Sequence, residues 1–166
     1  MLCSPFRRVV PPPRFPGQLY LTHMPGYWSP AEFHTEFWQQ LTQGDAEGWV
    51  LCLASGAERK RKAPDYTKFV ETAGLGERWL EFPIRDRSVP DDLPALLELL
   101  DRLIELLQRP TTVLAIHCAA GVGRTGTVAA LLLVRMGLQA ADALTIIEEA
   151  GSEPETDQQL AFVCRS

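Results

Sequence analysis

The sequence predicts a single α/β domain with a central, mostly parallel sheet and helices on both faces. Short apolar runs at residues 49–54, 79–84 and 112–117 alternate with segments of helical pattern, which is the order of a covered parallel sheet. The stretch from Arg124 to Met136 is apolar on nearly every side, and such a helix belongs at the centre of a fold. A chain of 166 residues suits one domain with a sizeable core.

The elements follow in order. Residues 1–17, with arginines and the run Pro11-Pro12-Pro13, form an extended lead-in, and residues 18–166 form the domain. Gln18 to Met24 reads as a first strand closed by Pro25-Gly26. Ser29-Pro30-Ala31-Glu32 carries a capping-box pattern. Phe33, Phe37 and Leu41 then recur at helical spacing, and Gly44 ends that helix. Trp49 to Ala54 is a buried strand, Lys62 to Ala73 a helix and Trp79 to Ile84 a second strand. Asp91-Asp92 introduces a leucine-rich helix reaching Gln108, Asp91 and Asp92 both being read as its caps. Thr112 to His117 is a third strand. Helices at 140–150 and 156–164 complete the chain.

Composition excludes some functions. A net charge of −5 argues against nucleic acid as the main partner, because phosphate backbones select basic surfaces. No apolar run approaches the ~20 residues of a membrane span, and residues 1–17 lack a secretory apolar stretch, so a cytoplasmic protein is expected. Cys3, Cys52, Cys118 and Cys164 show no metal-binding spacing and are read as free thiols.

In parallel sheets, ligands bind beyond the carboxyl ends of the strands. Ser55 to Arg61, Arg85 to Asp91 and Cys118 to Arg124 leave those ends and should share one face. The third reads His117-Cys118-Ala119-Ala120-Gly121-Val122-Gly123-Arg124-Thr125-Gly126. A strand turning into a helix N-terminus leaves backbone N–H groups unpaired, and these can converge on an anion. Gly121 and Gly123 permit positive φ and close backbone approach. Arg124 supplies a planar fork for two phosphate oxygens. Cys118 sits at the mouth of the cradle, where the same N–H groups favour a thiolate placed to attack phosphorus. A structural cysteine beside a glycine-containing turn would leave Arg124 and its spacing unexplained.

His-Cys, five residues, Arg, Thr resembles the signature loop of the cysteine-based protein tyrosine phosphatases. The chain from about Gln18 onward is similar to their dual-specificity branch, including kinase-associated phosphatases and compact bacterial relatives. The resemblance implies Cys118 as nucleophile and Arg124 as phosphoryl-binding group. It implies Thr125 as the hydroxyl that steadies the departing thiolate, and His117 as organiser of the cysteine backbone. The loop residues Ala119, Ala120, Gly121, Val122 and Gly123 would bind phosphate with Arg124.

An alkoxide or phenolate leaving group needs a proton donor. Asp86 leaves the neighbouring strand end, in a loop like the one that carries the acid in related phosphatases. Asp91 and Asp92 are its rivals, and a turn carboxylate paired with Arg85 or Arg87 is the plain alternative. Gln159 resembles a glutamine of the last helix that helps place water, although a solvated helix residue fits equally. The family's arginine just before this segment is replaced here by Glu148-Glu149-Ala150. The basic run Arg59-Lys60-Arg61-Lys62 reads as a solvated helix start that could also steer acidic substrates. Cys52 could pair with Cys118 under oxidation, with core packing the stronger reading.

The expectation is a monomeric hydrolase of phosphotyrosine, and of phosphoserine or phosphothreonine, in proteins or small aryl phosphates. Its route is a phosphocysteine, with no metal or cofactor. The alternatives are a phospho-binding module without turnover and a phosphatase for a non-protein ester. An uncharged loop interior, Ala-Ala-Gly-Val-Gly, favours protein or aryl substrates. A rhodanese-like role leaves Asp86 without a reason, and an arsenate-reductase role lacks resolving cysteines nearby.

Overall fold

A computed structural model describes residues 6–30 and 33–166. Its sheet has five strands: β1 (Arg7–Val9), β2 (Gln18–Thr22), β3 (Glu47–Cys52), β4 (Trp79–Glu81) and β5 (Thr112–His117). Their order across the sheet is β1-β2-β5-β3-β4. β2, β5, β3 and β4 run parallel, and β1 pairs antiparallel with β2. The lead-in thus contributes an edge strand.

Among the described residues, seven α-helices accompany them: α1 (Phe33–Leu41), α2 (Gly56–Lys62), α3 (Pro64–Thr72), α4 (Leu93–Leu107), α5 (Gly123–Arg135), α6 (Ala140–Glu149) and α7 (Asp157–Cys164). Period-two alternation in the strands divides the core. Leu51, Leu114 and Ile116 pack with Leu96, Leu100 and Leu103 of α4 and with Val128 and Leu132 of α5. Val50, Val113 and Ala115 face the other way, onto Phe33, Phe37 and Leu41 of α1. The three α1 residues are buried as their spacing requires. Glu32 of the expected capping box lies outside the described residues. Ser29 Oγ instead accepts a hydrogen bond from Gly26 N–H at 2.9 Å and closes the turn after β2.

Several boundaries differ from expectation, β2 and β3 each ending two residues early, at Thr22 and Cys52. The helix expected from Lys62 begins at Pro64 as α3, and Lys62 instead ends a separate helix, α2, which holds the whole basic run. The strand expected to reach Ile84 stops at Glu81. Pro83 has no N–H to give the ladder, yet Phe82 and Ile84 still donate to the carbonyls of Cys52 and Leu53 at 3.0 and 2.9 Å. The expected helix end at Gly44 falls three residues beyond Leu41.

Replacing Leu100 by Ala should lower the unfolding free energy by about 2–5 kcal/mol, since Leu100, on α4, is fully buried in the core against the sheet. Denaturant titration measures this, and a loss below about 1 kcal/mol would contradict the packing described.

Candidate active site

β5 delivers His117 and then a turn that opens α5. Among the described residues, no side chain caps the start of this helix, so its first N–H groups can meet a ligand. Inside the turn, Gly121 N–H donates to Cys118 Sγ at 3.3 Å. Cys118 and Ala119 are each 3% exposed. Gly121 has φ +73°, and a Cβ there would stand 2.2 Å from the carbonyl oxygen of Thr22. Gly123 serves differently from expectation. It has no positive φ, and a Cβ would fall 2.0 Å from Glu155 Oε2, so its bareness makes room for a carboxylate at the helix N-terminus.

His117 is completely buried. Its Nδ1 lies 2.9 Å from the carbonyl of Cys118, which can only accept, so Nδ1 carries the proton. Nε2 therefore accepts from the Tyr66 hydroxyl at 2.9 Å. Burial pushes the His117 pKa down to about 4, against the opposing pull of the Cys118 carbonyl. The ring is a neutral brace behind the turn. Tyr66 went unread in the sequence because its partner is 51 residues away.

Arg124 is the second anchor, with a side chain 1% exposed. Its Nη1 and Nη2 meet Glu58 Oε2 and Oε1 at 2.8 and 2.9 Å, and Nη1 also donates to the Ile84 carbonyl at 3.0 Å. Its Nε is buried with no partner among the described residues. Glu58 is the carboxylate of this cluster that the sequence reading missed. The signal was present as Ser55-Gly-Ala-Glu58, a capping-box pattern after β3, and Ser55 Oγ does accept from Glu58 N–H at 3.1 Å. Hydrogen bonds from Arg124 pull the Glu58 pKa down to about 2, despite burial.

Asp86 Oδ1 lies 3.2 Å from Arg124 Nη2, and its side chain is 64% exposed. Of its rivals, Asp92 caps α4 by accepting from Ala95 N–H at 2.9 Å. Asp91 is not a cap. It pairs with Arg85 at 3.3 Å on the surface. Asp86 occupies a turn closed by Ser88 N–H to the Arg85 carbonyl at 3.0 Å, with Arg87 at φ +59°. Gln159, fully buried rather than solvated, steadies this turn. Its Nε2 donates to the Ser88 carbonyl at 3.1 Å while its Oε1 accepts from Glu155 N–H at 2.8 Å. Thr125 is buried, and its hydroxyl has no partner among the described residues.

The basic run is not simply solvated. Arg59 is buried, pairs with Glu81 at 2.6 Å and stacks over Trp79. Lys62 pairs with Glu58 at 2.8 Å. Arg61, Lys62, Arg85 and Asp86 line a cleft of about 360 Å³ beside Arg124. A larger hollow of about 540 Å³, lined by Phe6, Gln18, Tyr20, Gln40 and Gln43, lies on the side of the sheet that α1 covers. Cys52 is buried and free, and burial pushes its thiol up to about 11.

All three strand-exit segments thus converge at the carboxyl ends of β3, β4 and β5. Comparison with known proteins identifies the family. A family model described as the DSP-PTPase phosphatase domain of Swiss Army Knife proteins (PTP-SAK) matches residues 49–165. The chain belongs to this dual-specificity branch of the cysteine-based tyrosine phosphatases. It is 33% identical over 117 residues to the 197R protein of Invertebrate iridescent virus 6, named as a tyrosine phosphatase, covering 69% of this chain and 41% of that one. It is 30% identical over 106 residues to the PRL-1 phosphatase of Drosophila melanogaster, covering 60% and 56%. The chain therefore spans about half the length of these relatives. The fold matches a kinase associated phosphatase, solved with its catalytic-site cysteine replaced by serine, at a TM-score of 0.76 and 19% identity over 97% of this chain and 93% of that one. Among the described residues, no helix is long and apolar enough to cross a membrane.

Two predictions follow from the geometry. Gly121→Ala should cost at least about 2 kcal/mol of stability, because both its φ and its backbone neighbour oppose a side chain; a neutral effect in denaturant unfolding would contradict the turn. His117 binds a proton in the unfolded chain near its ordinary 6.5 and in the folded one only near about 4. Its contribution is complete above the first value and drains away as pH falls towards the second. Unfolding free energy should decline over that window, less steeply in His117→Asn, and equal declines in the two proteins would contradict the neutral brace.

Proposed function

We propose that the chain hydrolyses phosphate monoesters through a phosphocysteine on Cys118. One observation carries the reading: Arg124, held by Glu58, contacts Asp86 and lies near enough to Cys118 to feel its charge. Cys118 attacks phosphorus as a thiolate, forming the S–P bond as the ester P–O bond breaks. Asp86 protonates the leaving oxygen. Water then attacks phosphorus, giving its proton to the Asp86 carboxylate, and the thiolate departs. Loop N–H groups from Ala119 to Arg124 and the free Arg124 Nε stabilise the equatorial oxygens. The buried, unpartnered Thr125 hydroxyl donates to the departing sulfur. Gln159 acts on the acid's turn, which supports a positioning role in place of a water ligand.

Substrates are phosphotyrosine and, secondarily, phosphoserine or phosphothreonine of cytoplasmic proteins, handled by a monomer. The uncharged loop interior and the cleft edged by Arg61 and Arg85 support this class. Turnover of p-nitrophenyl phosphate should survive chelator, yield to vanadate and fall to background in Cys118→Ser. Chelator-sensitive turnover restored by Mg²⁺ would overturn the mechanism. Asp86→Ala should slow phosphopeptide hydrolysis by ~10²- to 10⁴-fold and hydrolysis of an activated aryl phosphate much less. Equal losses on both would remove Asp86 as the acid.

A further inference from the structure

Arg7 lies in β1, outside the stretch 49–165 that matches the family model. Antiparallel pairing sets Arg7 opposite Leu21, which brings the start of β1 to the carboxyl ends of the parallel strands, where the site is. Its side chain reaches two backbone carbonyls there. Nη1 donates to the Gly151 carbonyl and Nη2 to the Gly121 carbonyl. Ser152 Oγ donates to the same Gly121 oxygen at 2.6 Å.

The second contact matters because of peptide geometry. In a trans peptide, the carbonyl of Gly121 and the N–H of Val122 point in opposite directions. Two donors that hold the carbonyl outward turn the next N–H inward, to the side where an anion would sit. Without them the plane could rotate, since glycine at 121 offers little steric resistance, and an oxygen would then face the anion. The Gly151 contact ties the loop to the end of α6, next to the segment where the family's arginine is absent and Glu148-Glu149-Ala150 stands. Burial of Arg7 is offset in part by its attraction to Cys118, so its charge is felt inside the loop.

We propose that Arg7 is a positioning residue for the phosphate loop, holding the Gly121–Val122 peptide in its anion-binding orientation from the edge strand. The inference rests on the phosphatase reading above. Arg14 is the matched control. It belongs to the same lead-in and donates to the Met136 carbonyl at the far end of α5, so it anchors the segment without touching the loop.

The experiment compares wild type, Arg7→Met, Arg7→Lys and Arg14→Met for p-nitrophenyl phosphate kinetics, vanadate inhibition and thermal unfolding. Arg7→Met should raise KM and the vanadate inhibition constant together by ~10-fold or more, and Arg7→Lys should recover part of the loss. Arg14→Met should lower the melting temperature and leave both constants unchanged. If Arg7→Met does not fold, Arg7→Gln, which keeps one donor, reads the same loss. Wild-type constants in the Arg7 variants, or an equal loss in Arg14→Met, would overturn the role of Arg7 while the phosphatase reading stands. A wild type that neither turns over nor binds vanadate would remove the phosphatase reading itself, and this inference with it.

Discussion

The guanidinium of Arg124 is the constraint on which the site depends. A buried cation is tolerated only when it is paired and hydrogen-bonded. Here the partners come from the exits of two other strands. Glu58, in the first turn of α2 after β3, takes both terminal nitrogens, and Ile84, just beyond β4, supplies a carbonyl. Satisfying one charge therefore fixes the relative position of three loops. It leaves Nε as a donor with no protein partner among the described residues, and it brings Asp86 within 3.2 Å.

A second network stands behind the loop. His117 and Tyr66 support the Cys118 carbonyl from the face covered by α1 and α3. Arg7 and Ser152 hold the Gly121 carbonyl from the opposite edge. Gln159 links the last helix to the turn that carries Asp86. The proposed chemistry needs N–H groups and a thiol held still around a dianion, and each of these contacts restrains a backbone plane.

How much of this was legible depended on the range of the interactions. Thr112–His117 and the helix after it were read nearly to the residue, because an apolar run followed by a glycine-bearing turn is a local signal. Cys118, Arg124 and Asp86 stood out by residue type and spacing. Glu58 carries a visible capping pattern, but its pairing with Arg124, 66 residues on, has no local sign. Arg59 looked solvated because Glu81, its partner, lies 22 residues away at the end of β4. Tyr66 and Arg7 carry no local signature at all. Their partners are 51 and 114 residues away, and only strand order makes them neighbours.

The central claim is a covalent phosphoryl group on one sulfur. Rapid denaturing quench during turnover of p-nitrophenyl phosphate, followed by mass spectrometry of the peptides, tests it directly. The account predicts a phosphoryl group on the peptide containing Cys118, accumulating before steady state and disappearing as substrate is exhausted. Turnover with no phosphorylated peptide, or with phosphate on another residue, would contradict it.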